Sequence, residues 1–134
     1  GQIVWQYSTG IETAAFASRL PDGNTLIVDS GHARVIEVTP DKHAVFQYFT
    51  NTQLGSNPNP SPSNAVMLRD GRISIADQFN DRAFVINGQK QNVYQYGQLN
   101  VAGNGPDQLN APYTAFVIGD YTGQTPPPGV DDGQ

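Results

Sequence analysis

The chain contains no cysteine. That absence removes disulfides, thiolate metal sites, iron–sulfur clusters and a cysteine nucleophile together. Charge is scarce as well: 14% of the 134 residues are Asp, Glu, Lys or Arg, and the seven Lys and Arg form no stripe. Binding to nucleic acid without sequence preference depends on neutralising phosphates. With a net charge of −5, the chain is expected to bind no nucleic acid, and the same argument disfavours an anionic membrane surface. No apolar run approaches the roughly 18 residues of a membrane span, so no membrane insertion is expected. Only two histidines are present, His32 and His43, and they are not at metal-ligand spacing. There is no G-x-S-x-G elbow. Gly103-Asn104-Gly105 runs into Pro106 rather than a helix, so it makes no phosphate loop. No twelve-residue calcium loop is present either. The expected catalytic, cofactor-binding and metal-ligating residues are therefore none, and the sequence assigns no small-molecule ligand.

What is present points to an all-β chain that turns often. Fourteen Gly and ten Pro supply the turns, and six Tyr, six Phe and one Trp supply bulky core material. The surplus of Asn, Gln, Thr, Ser, Gly and Pro over charge is similar to that of secreted bacterial β-proteins. It leads us to expect a secreted, cell-surface or periplasmic location.

An internal repeat organises the chain. Val-aromatic-Gln-Tyr occurs as Val4-Trp5-Gln6-Tyr7, Val45-Phe46-Gln47-Tyr48 and Val93-Tyr94-Gln95-Tyr96, at spacings of 41 and 48 residues. At the same interval of 48, Ala17, Leu20, Asp22, Gly23, Ile27, Asp29 and Arg34 recur as Ala65, Leu68, Asp70, Gly71, Ile75, Asp77 and Arg82, with no gap between 17–48 and 65–96. Each unit reads as four short strands, because apolar and polar residues alternate between Gly, Asp and Asn punctuation. The expected strands are 14–20, 24–30, 33–39 and 43–49, then 64–69, 72–77, 81–87 and 91–97. Asp22-Gly23, Ser30-Gly31 and Pro40-Asp41 are the expected turns of the first unit. Asp70-Gly71, Phe79-Asn80 and Asn87-Gly88 are those of the second. No apolar period of 3.6 is sustained, so essentially no helix is expected.

Four antiparallel strands at a period in the forties describe a β-propeller blade. The segment Leu20-Pro21-Asp22-Gly23-Asn24-Thr25-Leu26-Ile27-Val28-Asp29, continued by Arg34-Val35-Ile36-Glu37-Val38, resembles an NHL-type propeller repeat. PQQ-like and arylsulfotransferase-type blades share part of that look. The expected architecture is a partial β-propeller, a single module over 1–134. Residues 1–10 hold the outer strand of a preceding blade, with the strand at 2–8. Residues 11–51 and 52–100 are two complete blades. Residues 101–134 start a further blade, with an inner strand near 113–119 and a Pro/Gly-rich tail.

Asp29 with Arg34, and Asp77 with Arg82, stand at matching positions. A feature present in every blade is architectural, and these are expected to be ion pairs pinning the turn between the second and third strands. His32 and His43 fall opposite Asn80 and Gln91, so both read as surface turn residues. Val4, Trp5, Tyr7, Phe46, Tyr48, Tyr94 and Tyr96 are expected to serve blade packing or assembly, with the Trp5, Phe46 and Tyr94 column in the core. Two blades alone would expose an apolar face at each end. The expected function is thus a non-enzymatic scaffold or interaction module, a homo-oligomer or head-to-tail polymer closing as a ring or running on as a filament. The residues 131–134 resemble the turn that precedes a Val-aromatic-Gln-Tyr strand, which suggests that one copy completes another. The alternative is a fragment of a larger propeller enzyme or ligand-binding protein whose active site lies on other blades.

Overall fold

The computed structural model describes residues 1–123. Among the described residues, eight strands form two four-stranded antiparallel sheets. The first contains β1 (Ala14–Arg19), β2 (Thr25–Asp29), β3 (Arg34–Val38) and β4 (Ala44–Phe49), each beside the next in chain order. The second repeats that meander with β5 (Asn64–Met67), β6 (Ile73–Asp77), β7 (Arg82–Ile86) and β8 (Asn92–Gly97). The registers also repeat: Ile27 faces Ile36 and Asp29 faces Arg34, as Ile75 faces Phe84 and Asp77 faces Arg82.

Local chemistry fixes the turns. Gly23 and Gly71 stand at φ of 91° and 87°, where a Cβ would be strained. Asp22 and Asp70 accept the backbone N–H two residues on. Between the second and third strands of each sheet lies one turn of 3₁₀ helix, Ser30–His32 and Gln78–Asn80. A left-handed residue, Ala33 or Asp81, follows it. In the turns at the other end, the positive φ falls on Lys42 and Lys90.

The sheets stack face to face. Residues two apart on a strand share a face, so Leu26, Val28, Val35 and Tyr48 of the first sheet meet Ile73, Ile75, Phe84 and Ile86 of the second. The rings of Tyr48 and Phe84 lie 6.0 Å apart. β2 and β6 are buried along their whole length, which is why they read as continuous apolar runs.

Two expected strands are absent. Residues 2–8 form none. They lie instead as an arm on the outer face of the first sheet, where Trp5, Tyr7 and Ile11 pack on Ile27, Ile36 and Val38. No backbone–backbone hydrogen bond joins residues 1–7 to the first sheet. Residues 113–119 form no strand either, apart from an isolated bridge between Val117 and Asp120. That segment crosses the far face of the second sheet on mixed bonds. Ser63 Oγ donates to the Tyr113 carbonyl, Ala115 N to Asn64 Oδ1, Ser74 Oγ to the Ala115 carbonyl, and Arg69 N to Asp120 Oδ1. The expectation of two bare end faces is therefore corrected: the arm and this segment each cover part of one. The expected Pro/Gly-rich tail, with the turn at 131–134, lies outside the described residues.

Candidate functional site

A buried ion pair stands at one end of the second sheet, where β6 gives way to β7. Arg82 Nε donates to Asp77 Oδ2 at 2.8 Å, with both side chains almost wholly buried. Arg82 Nη1 reaches Gln53 Oε1 at 2.6 Å and Gln95 Oε1 at 3.3 Å. The guanidinium lies over the Phe84 ring, 3.9 Å from its centroid. One repeat earlier, Arg34 Nε donates to Asp29 Oδ2 at 2.9 Å, and Arg34 Nη1 to Gln47 Oε1 at 2.7 Å. Gln47 and Gln95 are the Gln of the Val-aromatic-Gln-Tyr motif, so each motif strand supplies a partner to its own blade's arginine. Arg34 Nη2 closes the set on the Gly10 carbonyl, behind the arm.

The two carboxylates differ in what they receive. Asp29 Oδ1 accepts the backbone N–H groups of Glu12 and Thr13. The position 48 residues after Glu12 is Pro60, which has no N–H to give. Among the described residues, Asp77 Oδ1 and Arg82 Nη2 have no hydrogen-bond partner. The consequence shows in proton affinity. Burial raises the Asp29 carboxyl, but bonds from His32, Arg34, Glu12 and Thr13 outweigh it and hold the group below its ordinary value. Burial raises Asp77 further than Arg82, Asn80 and Thr50 can offset, and the group ends above its ordinary value.

His32 is not simply a surface turn residue. Its Nδ1 lies 2.8 Å from Asp29 Oδ2, and Asn80 Nδ2 donates to Asp77 Oδ2 at 2.9 Å. The two residues do one job, giving a nitrogen-bound proton to the carboxylate of the repeat. Asn80 is fully buried and also donates to the Thr50 carbonyl. His32 is half exposed, with Nε2 3.5 Å from Glu12 Oε2. It lines an open cleft of about 450 Å³ together with Ser30, Asn51, Asn59 and Phe79. His43 is exposed and pairs with Asp41 at 3.1 Å. Among the described residues, no three His, Asp or Glu side chains are grouped to hold a metal ion.

The aromatic column divides. Phe46 and Tyr48 lie on the face of the first sheet that the second covers, and Tyr48 is 8% exposed. Trp5 and Tyr7 pack against the opposite face, ring centroids 6.4 Å apart. Trp5 Nε1 donates to the Pro40 carbonyl at 2.8 Å, and Arg19 lies over its ring. Val4 stands free of this contact at 96% exposure. Tyr94 and Tyr96 occupy the same repeat positions as Phe46 and Tyr48, but they are 60% and 42% exposed, so Tyr94 is not core.

No family model and no curated protein sequence matches the chain. Solved structures similar to it at low identity include the following three. A streptogramin B lyase shares 14% identity at a TM-score of 0.47, over 60% of this chain and 24% of that one. Virginiamycin B lyase from Staphylococcus aureus shares 16% at 0.46, over 62% and 26%. A protein of unknown function from Bacteroides caccae shares 14% at 0.49, over 67% and 30%. The chain thus spans less than a third of the length of these structures. Two stacked four-stranded meanders at a 48-residue period make it an all-β partial β-propeller.

Proposed function

We propose that the protein is a non-enzymatic interaction module of NHL-type blades that associates with copies of itself outside the cytoplasm, through the β8 side of its second sheet. One observation carries the reading. Tyr94 and Tyr96 repeat Phe46 and Tyr48 in sequence and in register, and they lack the cover that the second sheet gives that first pair. Exposed aromatic surface of this kind favours burial against a partner, and the sheet-on-sheet contact within the chain supplies its template. A contact between unlike faces of two copies propagates head to tail, into a ring or a filament.

Light scattering across a wide range of concentration tests this. The native mass is expected to rise above that of the monomer with concentration, and Tyr94→Ser with Tyr96→Ser is expected to return it to the monomer. The same exposed pair also suits a second reading, in which a further blade of a longer propeller enzyme or ligand-binding protein covers it. A chain that is monomeric at every concentration overturns self-association and selects that alternative.

A further inference from the structure

We infer that the seat of the arm is an acceptor site, and that its second occupant is strand β8 of another copy of this chain. This rests on the self-association reading above and names the surface that receives the tyrosines. The acceptor is the outer face of the first sheet, formed by Ile27, Ile36 and Val38. One repeat later, the equivalent residues are Ile75, Phe84 and Ile86. Those three receive Phe46 and Tyr48 inside the chain. The acceptor therefore has the chemistry of a surface that already takes a Val-aromatic-Gln-Tyr strand. In the structure it is filled by Val-aromatic-Gln-Tyr from the arm, with Trp5 and Tyr7 inward. The remaining copy of the motif, Val93-Tyr94-Gln95-Tyr96, lies on β8 with Tyr94 exposed and Tyr96 partly so, the Tyr96 hydroxyl accepting from Asp107 N. One motif without an acceptor and one acceptor with a removable occupant are complementary between copies.

The arm is held in a way that allows exchange. Trp5 and Tyr7 are fixed by apolar packing, one indole hydrogen bond and one cation–π contact. No backbone–backbone hydrogen bond ties residues 1–7 to the sheet beneath. β8, in contrast, is hydrogen-bonded to β7 from Asn92 to Gly97 and arrives pre-formed, so less conformational freedom is lost when it docks. What favours the arm is its tether, which presents it at a high effective concentration. Arm and β8 compete for one face, and the arm sets how strongly copies associate.

The experiment replaces both anchors, Trp5→Ser with Tyr7→Ser, and measures self-association by sedimentation or light scattering beside far-UV circular dichroism. The expected result is association tightened by about tenfold or more, since the tethered competitor is gone. A synthetic peptide of residues 1–9 added to this variant is expected to reverse the gain. Adding Tyr94→Ser and Tyr96→Ser to the variant is expected to abolish it. Unchanged association with an unchanged dichroism spectrum overturns the inference. So does a gain that survives loss of both tyrosines, because bare Ile27, Ile36 and Val38 would then be sticking to something else. If the arm variant unfolds, the peptide is added to the intact protein instead. It is expected to lower the native mass, and a mass that does not move overturns the inference. The two readings fail separately. A wild-type mass that ignores Tyr94 and Tyr96 removes the self-association reading. A mass that depends on them but not on the arm removes only the acceptor site.

Discussion

Arg34 and Arg82 hold the same position of the repeat in different surroundings, and the difference predicts different costs. Arg82 is 1% exposed and Arg34 is 17% exposed. Arg82→Ala leaves a buried carboxylate without its counterion, which costs about 3–5 kcal/mol. Arg34→Ala opens toward the arm and solvent and costs less; urea unfolding of the two variants checks the order. The carboxylates predict opposite responses to acid. Asp29 sits below the ordinary value of 3.8 in the folded chain. Its contribution is complete above that value and is lost as pH falls through the lower, folded one. Asp77 sits above 3.8, so its contribution is present below 3.8 and is lost as pH rises through the raised value. In urea midpoints measured from neutral to acid pH, Asp29→Asn is expected to lessen the acid-side loss of stability. Asp77→Asn is expected to remove a change of the opposite sign. His32→Asn keeps an N–H for Asp29 and is expected to leave stability nearly unchanged. His32→Leu removes the donor to a carboxylate and costs about 1.5–3 kcal/mol in the same assay.

The eight strands could be read from the sequence because each carries its own evidence. Alternation marks the faces, the Asp-Gly pairs mark two turns, and the gapless 48-residue repeat aligns one blade on the other. The segments 2–8 and 113–119 carry equally strand-like residues yet form no strand, because a strand also needs an edge to pair with, and that lies outside the segment's own composition. The shared role of His32 and Asn80, whose positions match in the repeat, is hidden for a related reason. The residue types differ, and only the geometry shows both nitrogens on the same carboxylate oxygen. Lys42 and Lys90, in left-handed turns, likewise give no composition signal. One glycine makes a firm prediction at this scale. Gly97 ends β8 at a φ of 88°, and a Cβ there would run into the Asp81 carbonyl. Gly97→Ala combines that strain with a clash and is expected to cost about 1–3 kcal/mol in denaturant unfolding.

At the scale of the molecule, the apolar faces are shared out unevenly. Between the sheets, each face is covered by the other along Leu26, Val28, Ile75 and Phe84. Outside them, the arm covers one face by packing and residues 113–122 cover the other by mixed hydrogen bonds. Tyr94 and Tyr96 of β8 stay exposed. Trp5 is the chain's single tryptophan, and it sits on the arm, stacked on Tyr7 and capped by Arg19. Its fluorescence therefore watches a part of the molecule that can leave before the rest lets go. On heating, the emission of Trp5 is expected to shift at a lower temperature than the far-UV signal of the two sheets is lost, giving two separate transitions by two probes. Coincident transitions would mean that the arm and the sheets melt as a single unit.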